Sequence, residues 1–319
     1  MGCLVFATRG TDWATVGGVL RGAHLGWCLS VIAVSVACHV LRAERWRVLL
    51  RPVGVVPRWP AVAATFIGFG ANAVLPLRLG EFIRPAFLSR RAGIPLSPTI
   101  STIVIERIFD ILLVVCCLLL VGLVYDVPDY LRFGGQALGV IMGGGLGVLV
   151  VAQRHRETAE RWIRRGLDLL PSAVGGPLWS VAEGLLRGLD ALADLRIVAV
   201  VLIYSIVLWT LITLTYTLSF LALDVAVPLL AGSLVTVVIV AASVFLPQGP
   251  GFVGTWQAGC VLALSTILHA PHDVAVGYSL LTWVIQMLVN VGTALVAIVV
   301  EGVSFHELVE ESRVEVPET

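Results

Sequence analysis

The chain has 319 residues, 58% hydrophobic and 13% charged, with a formal net charge of zero and a mean hydropathy of +0.96. A soluble domain carries about 25% charged residues, so too little polar surface exists here to cover a globule in water. The neutral balance offers no basic footprint for nucleic acid, and every basic residue is Arg.

The first span is predicted over residues 25–41. A basic block follows, with Arg42, Arg45, Arg47, Arg51 and Arg58. Arg-rich loops stay in the cytoplasm, which sets this loop inside. Residues 61–77 are apolar but short, and Asn72 and Pro76 break them. The chain then turns charged at Arg78, Glu81, Arg84, Arg90 and Arg91. A full crossing would leave these arginines outside. A re-entrant hairpin that breaks between Asn72 and Pro76 and returns to the same side removes the conflict.

Residues 97–125 are long enough to span with tilt, and 134–152 return, rich in small residues such as Gly143, Gly144, Gly145 and Gly147. Residues 153–196 form a polar, Arg-rich middle. Two apolar stripes at helical spacing, split over 171–177, predict amphipathic helices at the membrane interface; a small soluble hairpin is the alternative. Beyond Arg196 the second half is nearly chargeless. Its spans are predicted over 197–223, 228–246, 252–269 and 274–300, interrupted by Pro247, Gly249, Pro250 and Gly251. The fold expected is all-α and polytopic, with about seven membrane-inserted helical segments in one membrane domain over 1–319. A first half (1–152) and a second half (197–300) flank the linker, and an acidic tail covers 301–319. Each half holds a broken hairpin, the pattern of an inverted repeat. Short, Gly/Pro-interrupted segments at matching places in two halves mark a transporter's binding site.

The candidate site follows from charge at membrane depth. Glu106, Arg107 and Asp110 fall on one side of a helix inside a segment that enters the bilayer. Each charge costs about 2.5–3.5 kcal/mol at a helix centre, so the three lie near the helix end, face a wet cavity, or are paired. Arg78, Glu81 and Arg84 in the first hairpin are the expected partners. Three acids and three bases can neutralise one another. Alternatively, one or more guanidinium forks are left for a phosphate, which Arg binds bidentately. In the second hairpin, backbone groups freed around Pro247, Gln248, Gly249, Pro250, Gly251 and Gly254 are tolerated only in a cavity or buried in protein. Gln257, Gln286 and Asn290 suit either that cavity or helix–helix hydrogen bonds.

No cofactor or metal is expected: the six cysteines lack zinc-ligand spacing, and His269, His272 and Asp273 stand in a short loop. No nucleophilic triad, P-loop or GxGxxG is credible, so the residues by themselves read as a protein that is not an enzyme.

Four ordered blocks carry a resemblance: ERWRVLL at 44–50, NAVLPLRLGEFIR at 72–84, ERIFD at 106–110 and PQGPGFVG at 247–254. Together they resemble the lysylphosphatidylglycerol synthase transmembrane-region family, also called flippase-like, over about residues 12–300. The resemblance implies a lipid-translocating membrane unit in a bacterial inner membrane, without the soluble aminoacyl-transfer domain. Its substrate-binding residues would be Asn72, Arg78, Glu81, Arg84, Glu106, Arg107, Asp110, Gln248 and Gln257. Pro76, Gly80, Pro247, Gly249, Pro250, Gly251 and Gly254 would serve gating. The implied partners are an anionic or phosphate-bearing lipid headgroup and a separate lipid synthase. Two departures stand out. Gln257 occupies a position usually acidic, and residues 1–22 are too short and polar for the extra span the family usually has first. The rival readings are a membrane-embedded glycosyl- or acyltransferase using Glu81, Glu106 or Asp110 as base, and a scaffold for a synthase.

Overall fold

The computed structural model describes residues 2–123, 129–168, 172–244 and 249–303. Among them the chain is helical and forms no strand. Two short helices, α1 (Gly2–Thr8) and α2 (Trp13–Arg21), precede α3 (Leu25–Leu49). Then come α4 (Arg58–Val74), α5 (Gly80–Ala92), α6 (Leu96–Val121) and α7 (Asp129–Arg154). The polar middle is α8 (Arg156–Leu167) and α9 (Ser172–Gly188), and the second half is α10 (Leu195–Ala222), α11 (Leu229–Val244), α12 (Thr255–Val261) and α13 (His272–Glu301). Helices α3, α7, α10 and α13 contain stretches long and apolar enough to cross a bilayer. Helix α6 is equally long but carries Glu106, Arg107 and Asp110 at its centre. The protein is therefore a polytopic helical membrane protein.

The helix ends follow local chemistry. Pro76 drives Leu75 out of the helical region, to φ −90° and ψ 147°, because the proline ring crowds the preceding residue. Helix α4 thus runs through Asn72 and breaks three residues later. A single 3-10 turn, Pro76–Arg78, leads into α5. Gly93 and Gly302 end α5 and α13 at φ 64° and 66°, the left-handed cap that glycine adopts without strain. The first span is longer than expected: α3 continues eight residues past Leu41 and takes up Arg42, Arg45 and Arg47. The split in the polar middle ends sooner than expected, since α9 begins at Ser172 and Pro177 lies within it.

The two halves interleave. Helix α3 packs on α10 and α4, α4 on α13 and α5, and α6 on α7, α9 and α11. Helices α1 and α2 lie against α12 and α13. The turn of the first hairpin meets the second at Pro250–Phe252. There the Arg78 guanidinium stands 5.9 Å from the centre of the Phe252 ring. Both residues have positive φ, 55° and 60°, a conformation costly for side chains other than glycine and found where the surroundings impose it. Helix α12 passes into a π-helical turn, Leu262–Ile267, a wide turn frequent at functional sites.

Candidate functional site

Three helices bring the charges together. Helix α6 supplies Glu106 and Asp110, which share a face one turn apart; α3 supplies Arg42 and Arg45, and α5 supplies Arg84. At 1.5 Å per residue, Glu106 lies about 15 Å along α6 from Leu96, well inside the packed bundle.

Arg45 is the pivot of the cluster. Its Nη1 donates to Asp110 Oδ1 at 2.6 Å and its Nη2 to Asp110 Oδ2 at 3.0 Å. Nη2 also lies 3.1 Å from Glu106 Oε1, and Nη1 donates to Ser205 Oγ on α10 at 2.9 Å. Arg84 Nη1 and Arg107 Nη2 reach the same Glu106 oxygen at 3.2 and 3.3 Å. Asp110 further accepts from Trp209 Nε1 at 3.2 Å and has Arg42 and Arg107 at 3.8 and 3.9 Å. Trp46 backs the cluster: Arg84 stacks over its ring at 4.0 Å, and its Nε1 donates to Thr102 Oγ1 at 2.9 Å.

The charges do not cancel. Four guanidinium groups, Arg42, Arg45, Arg84 and Arg107, surround two carboxylates, Glu106 and Asp110, which leaves +2 among the described residues. The Arg78–Glu81 pair beside them, at 3.6 Å, is neutral. Three guanidinium groups converge on Glu106 Oε1, while Glu106 Oε2 and Arg84 Nε and Nη2 have no hydrogen-bond partner among the described residues. Unpaired buried polar atoms of this kind are costly.

A cavity of about 230 Å³ opens against this cluster, lined by Arg42, Arg78, Glu81, Arg84, Arg107 and Asp110. Along α3 its lining residues Val31, Ser35, Cys38 and Arg42 recur at helical spacing, a stripe about 16 Å long. The rest of its lining carries no acid and no arginine: Val31, Ile212, Val237 and Ile285 stand there with the hydroxyl residues Thr215, Ser219 and Thr282. The arginines are thus gathered in one part of the cavity, and the remainder is uncharged.

Of the residues singled out from sequence, Arg84, Glu106, Arg107 and Asp110 form one network. Arg78, Glu81, Asn72 and Gly80 line the same cavity. Glu106 sits behind its wall, fully buried. Gln257 is elsewhere: it is buried, and its Oε1 accepts from the Gly254 backbone N–H at 2.7 Å, capping α12. Gln286 and Asn290 line the cavity and hydrogen-bond each other at 2.9 Å. Pro76 starts the first 3-10 turn. Pro250 and Gly251 form the second tip, where Gly251 O accepts from Trp283 Nε1 at 2.7 Å. Gly249 immediately precedes that tip. Pro247 and Gln248 lie outside the described residues. No group of three metal-ligating side chains occurs among the described residues.

Sequence reasoning missed Arg42 and Arg45 by assigning them to a loop. Cys38, Arg42, Arg45 and Leu49 continue the helical spacing past the hydropathy edge, and that periodicity was the available signal. His39 was missed too: it lines the cavity and stacks on Phe69 with ring centres 4.7 Å apart.

The family described as lysylphosphatidylglycerol synthase TM region matches residues 1–294. The chain belongs to that family. The match begins at residue 1, so it includes the segment of α1 and α2 that the sequence reading set apart. A relative of Haloferax volcanii named Glycosyltransferase AglD is 25% identical over 342 residues, which cover 97% of this chain and 54% of the relative. The chain thus spans about half the length of that curated relative. No solved structure matches the chain. Membership of the lysylphosphatidylglycerol synthase TM region family supports a membrane lipid-related function. The AglD match corrects the reading of the chain as no enzyme, since a relative spanning nearly the whole chain carries an enzyme's name.

Proposed function

We propose that the chain is a flippase-like transporter that moves a phospholipid or polyprenyl-phosphate-linked lipid between the leaflets of a bacterial inner membrane. The arginine end of the cavity receives the phosphate-bearing headgroup, and the acyl or polyprenyl chains stay in lipid. The observation that carries this reading is the uncompensated charge: four guanidinium groups around two carboxylates, beside a cavity whose remaining lining is uncharged. A buried charge without a partner costs several kcal/mol, and an anionic headgroup relieves that cost. Arginine forks suit phosphate oxygens. The two broken hairpins, touching at Arg78 and Phe252, supply the gate. The lipid headgroup is the partner of this site, with a separate lipid synthase as its source.

The test is headgroup movement in proteoliposomes by wild type, Arg84→Gln and Glu81→Gln. Movement that both substitutions abolish, with insertion intact, supports the reading. Full activity in both variants removes the site assignment.

A second reading is favoured by the name of the Haloferax volcanii relative: the same site binds a lipid phosphate for glycosyl transfer. Glu81, whose side chain is 29% exposed beside the cavity, would be the base. Product formed by purified protein from a lipid-linked sugar donor, and lost in Glu81→Gln, would establish it.

A further inference from the structure

We infer that the headgroup this cavity takes carries two negative charges, a phosphomonoester or a diphosphate, in preference to a singly charged phosphodiester; the inference rests on the headgroup reading above. Among the described residues the excess charge at the cavity is two, not one. Both terminal nitrogens of Arg45 are taken up by Asp110, Glu106 and Ser205, and the side chain is fully buried behind the cavity lining, so it works as internal wiring although its Nε has no partner among the described residues. Arg42, Arg84 and Arg107 line the cavity, and among the described residues they share with Arg45 the ion-pair partners Glu106 and Asp110. Arg78 is balanced by Glu81 at 3.6 Å.

The hydrogen-bonding state agrees with the count. Arg84 is buried, lines the cavity, and keeps Nε and Nη2 without a partner among the described residues. Arg107 keeps Nε without one. A phosphodiester offers these forks two non-ester oxygens that share one charge, whereas a terminal phosphate offers three oxygens that carry two charges, and a diphosphate offers more. A phosphodiester buries two of its oxygens in ester links and brings a single charge, so one excess cation remains unpaired in a low-dielectric site. A zwitterionic headgroup adds a further cation and is disfavoured again.

Charge also sets a pH signature. A phosphomonoester loses its second proton near pH 6, whereas a phosphodiester stays singly charged throughout the neutral range. Affinity for the monoester therefore rises between pH 5 and pH 8, and affinity for the diester does not follow it.

The experiment measures binding of the full chain in detergent to phosphatidic acid, phosphatidylglycerol and phosphatidylcholine of identical acyl chains, with inorganic phosphate as competitor. Phosphatidic acid is expected to bind about tenfold tighter than phosphatidylglycerol at pH 8, as one further charge pair at contact distance allows. The preference narrows at pH 5. Arg107→Gln, which lowers the excess to one, brings the two lipids to within about threefold of each other. Equal affinity for phosphatidic acid and phosphatidylglycerol at both pH values, with loss of both in Arg84→Gln, overturns the two-charge inference and leaves the headgroup site standing. Binding of all three lipids unchanged in Arg84→Gln overturns the headgroup reading itself. Inorganic phosphate that displaces phosphatidic acid at equal concentration overturns the lipid part in favour of a free phosphate. The pH arm uses wild type alone and decides the matter if Arg107→Gln does not fold.

Discussion

Arg45 and Asp110 form a two-point ion pair, at 2.6 and 3.0 Å, with both side chains nearly or wholly sealed from solvent. The pair joins α3 to α6 and holds Asp110 where Trp209 of α10 also reaches it. It fixes the wall against which the cavity opens.

Removing one partner of this pair should cost about 3–5 kcal/mol of stability, because a buried charge is left uncompensated. Arg45→Gln should lower the midpoint of thermal unfolding in detergent. The double variant Arg45→Gln/Asp110→Asn should recover part of the loss, since the residues are in direct contact and their effects are not additive. Additive losses would show that the two side chains do not act as a pair.

Arg84→Gln is expected to behave differently from Arg45→Gln. Arg84 makes one hydrogen bond to Glu106, which Arg45 and Arg107 also neutralise. Loss of Arg84 should therefore abolish headgroup movement while the protein still inserts and elutes as a single species. A variant that fails to insert would assign Arg84 to folding.

Gly80 is where α5 approaches α4. A Cβ there would collide with Gly68 O and stand 2.7 Å from Asn72 Oδ1. Gly80→Ala should cost about 1–3 kcal/mol by overpacking. Gly143→Ala on α7 has open space around it and should leave the thermal midpoint unchanged. Equal behaviour of the two variants would contradict the close approach.

At the rim opposite the Arg-rich ends, Asp12 caps α2, accepting from the Ala14 backbone N–H at 3.0 Å and the Thr15 hydroxyl at 2.7 Å. Its own N–H donates to Asp273 Oδ1 at 3.0 Å, which ties α2 to α13. The hydrogen bonds from Thr15 and then Ala14 hold the Asp12 carboxyl below the ordinary carboxylate value of 3.8. A carboxyl lowered by folding stabilises the folded state above its unfolded value, and that contribution is lost as pH falls through the folded one. Asp12→Ala should therefore speed amide exchange in α2 at neutral pH, and the difference from wild type should narrow below pH 3.8. A difference that persists unchanged into acid would assign the effect to packing.

The membrane class and the first hairpin break were legible in the residues because both are local. About 20 apolar residues make a span regardless of what packs on them, and Pro76 ejects Leu75 from the helix through contact between sequence neighbours. The charged triplet of α6 was legible for the same reason, since helical spacing alone puts Glu106 and Asp110 on one face. Hydropathy also misled locally: it ended the first span at Leu41, although α3 runs on to Leu49, because arginines inside a bundle read like arginines in a loop. The sequence reading of the site therefore held three acids against three bases, with neutrality and a spare guanidinium both open. Only the tertiary structure brought Arg42 and Arg45 to carboxylates more than sixty positions away and tipped the balance to +2. Ion pairing depends on which helices pack together, and α3 meets α6 and α10 through contacts that no local pattern encodes.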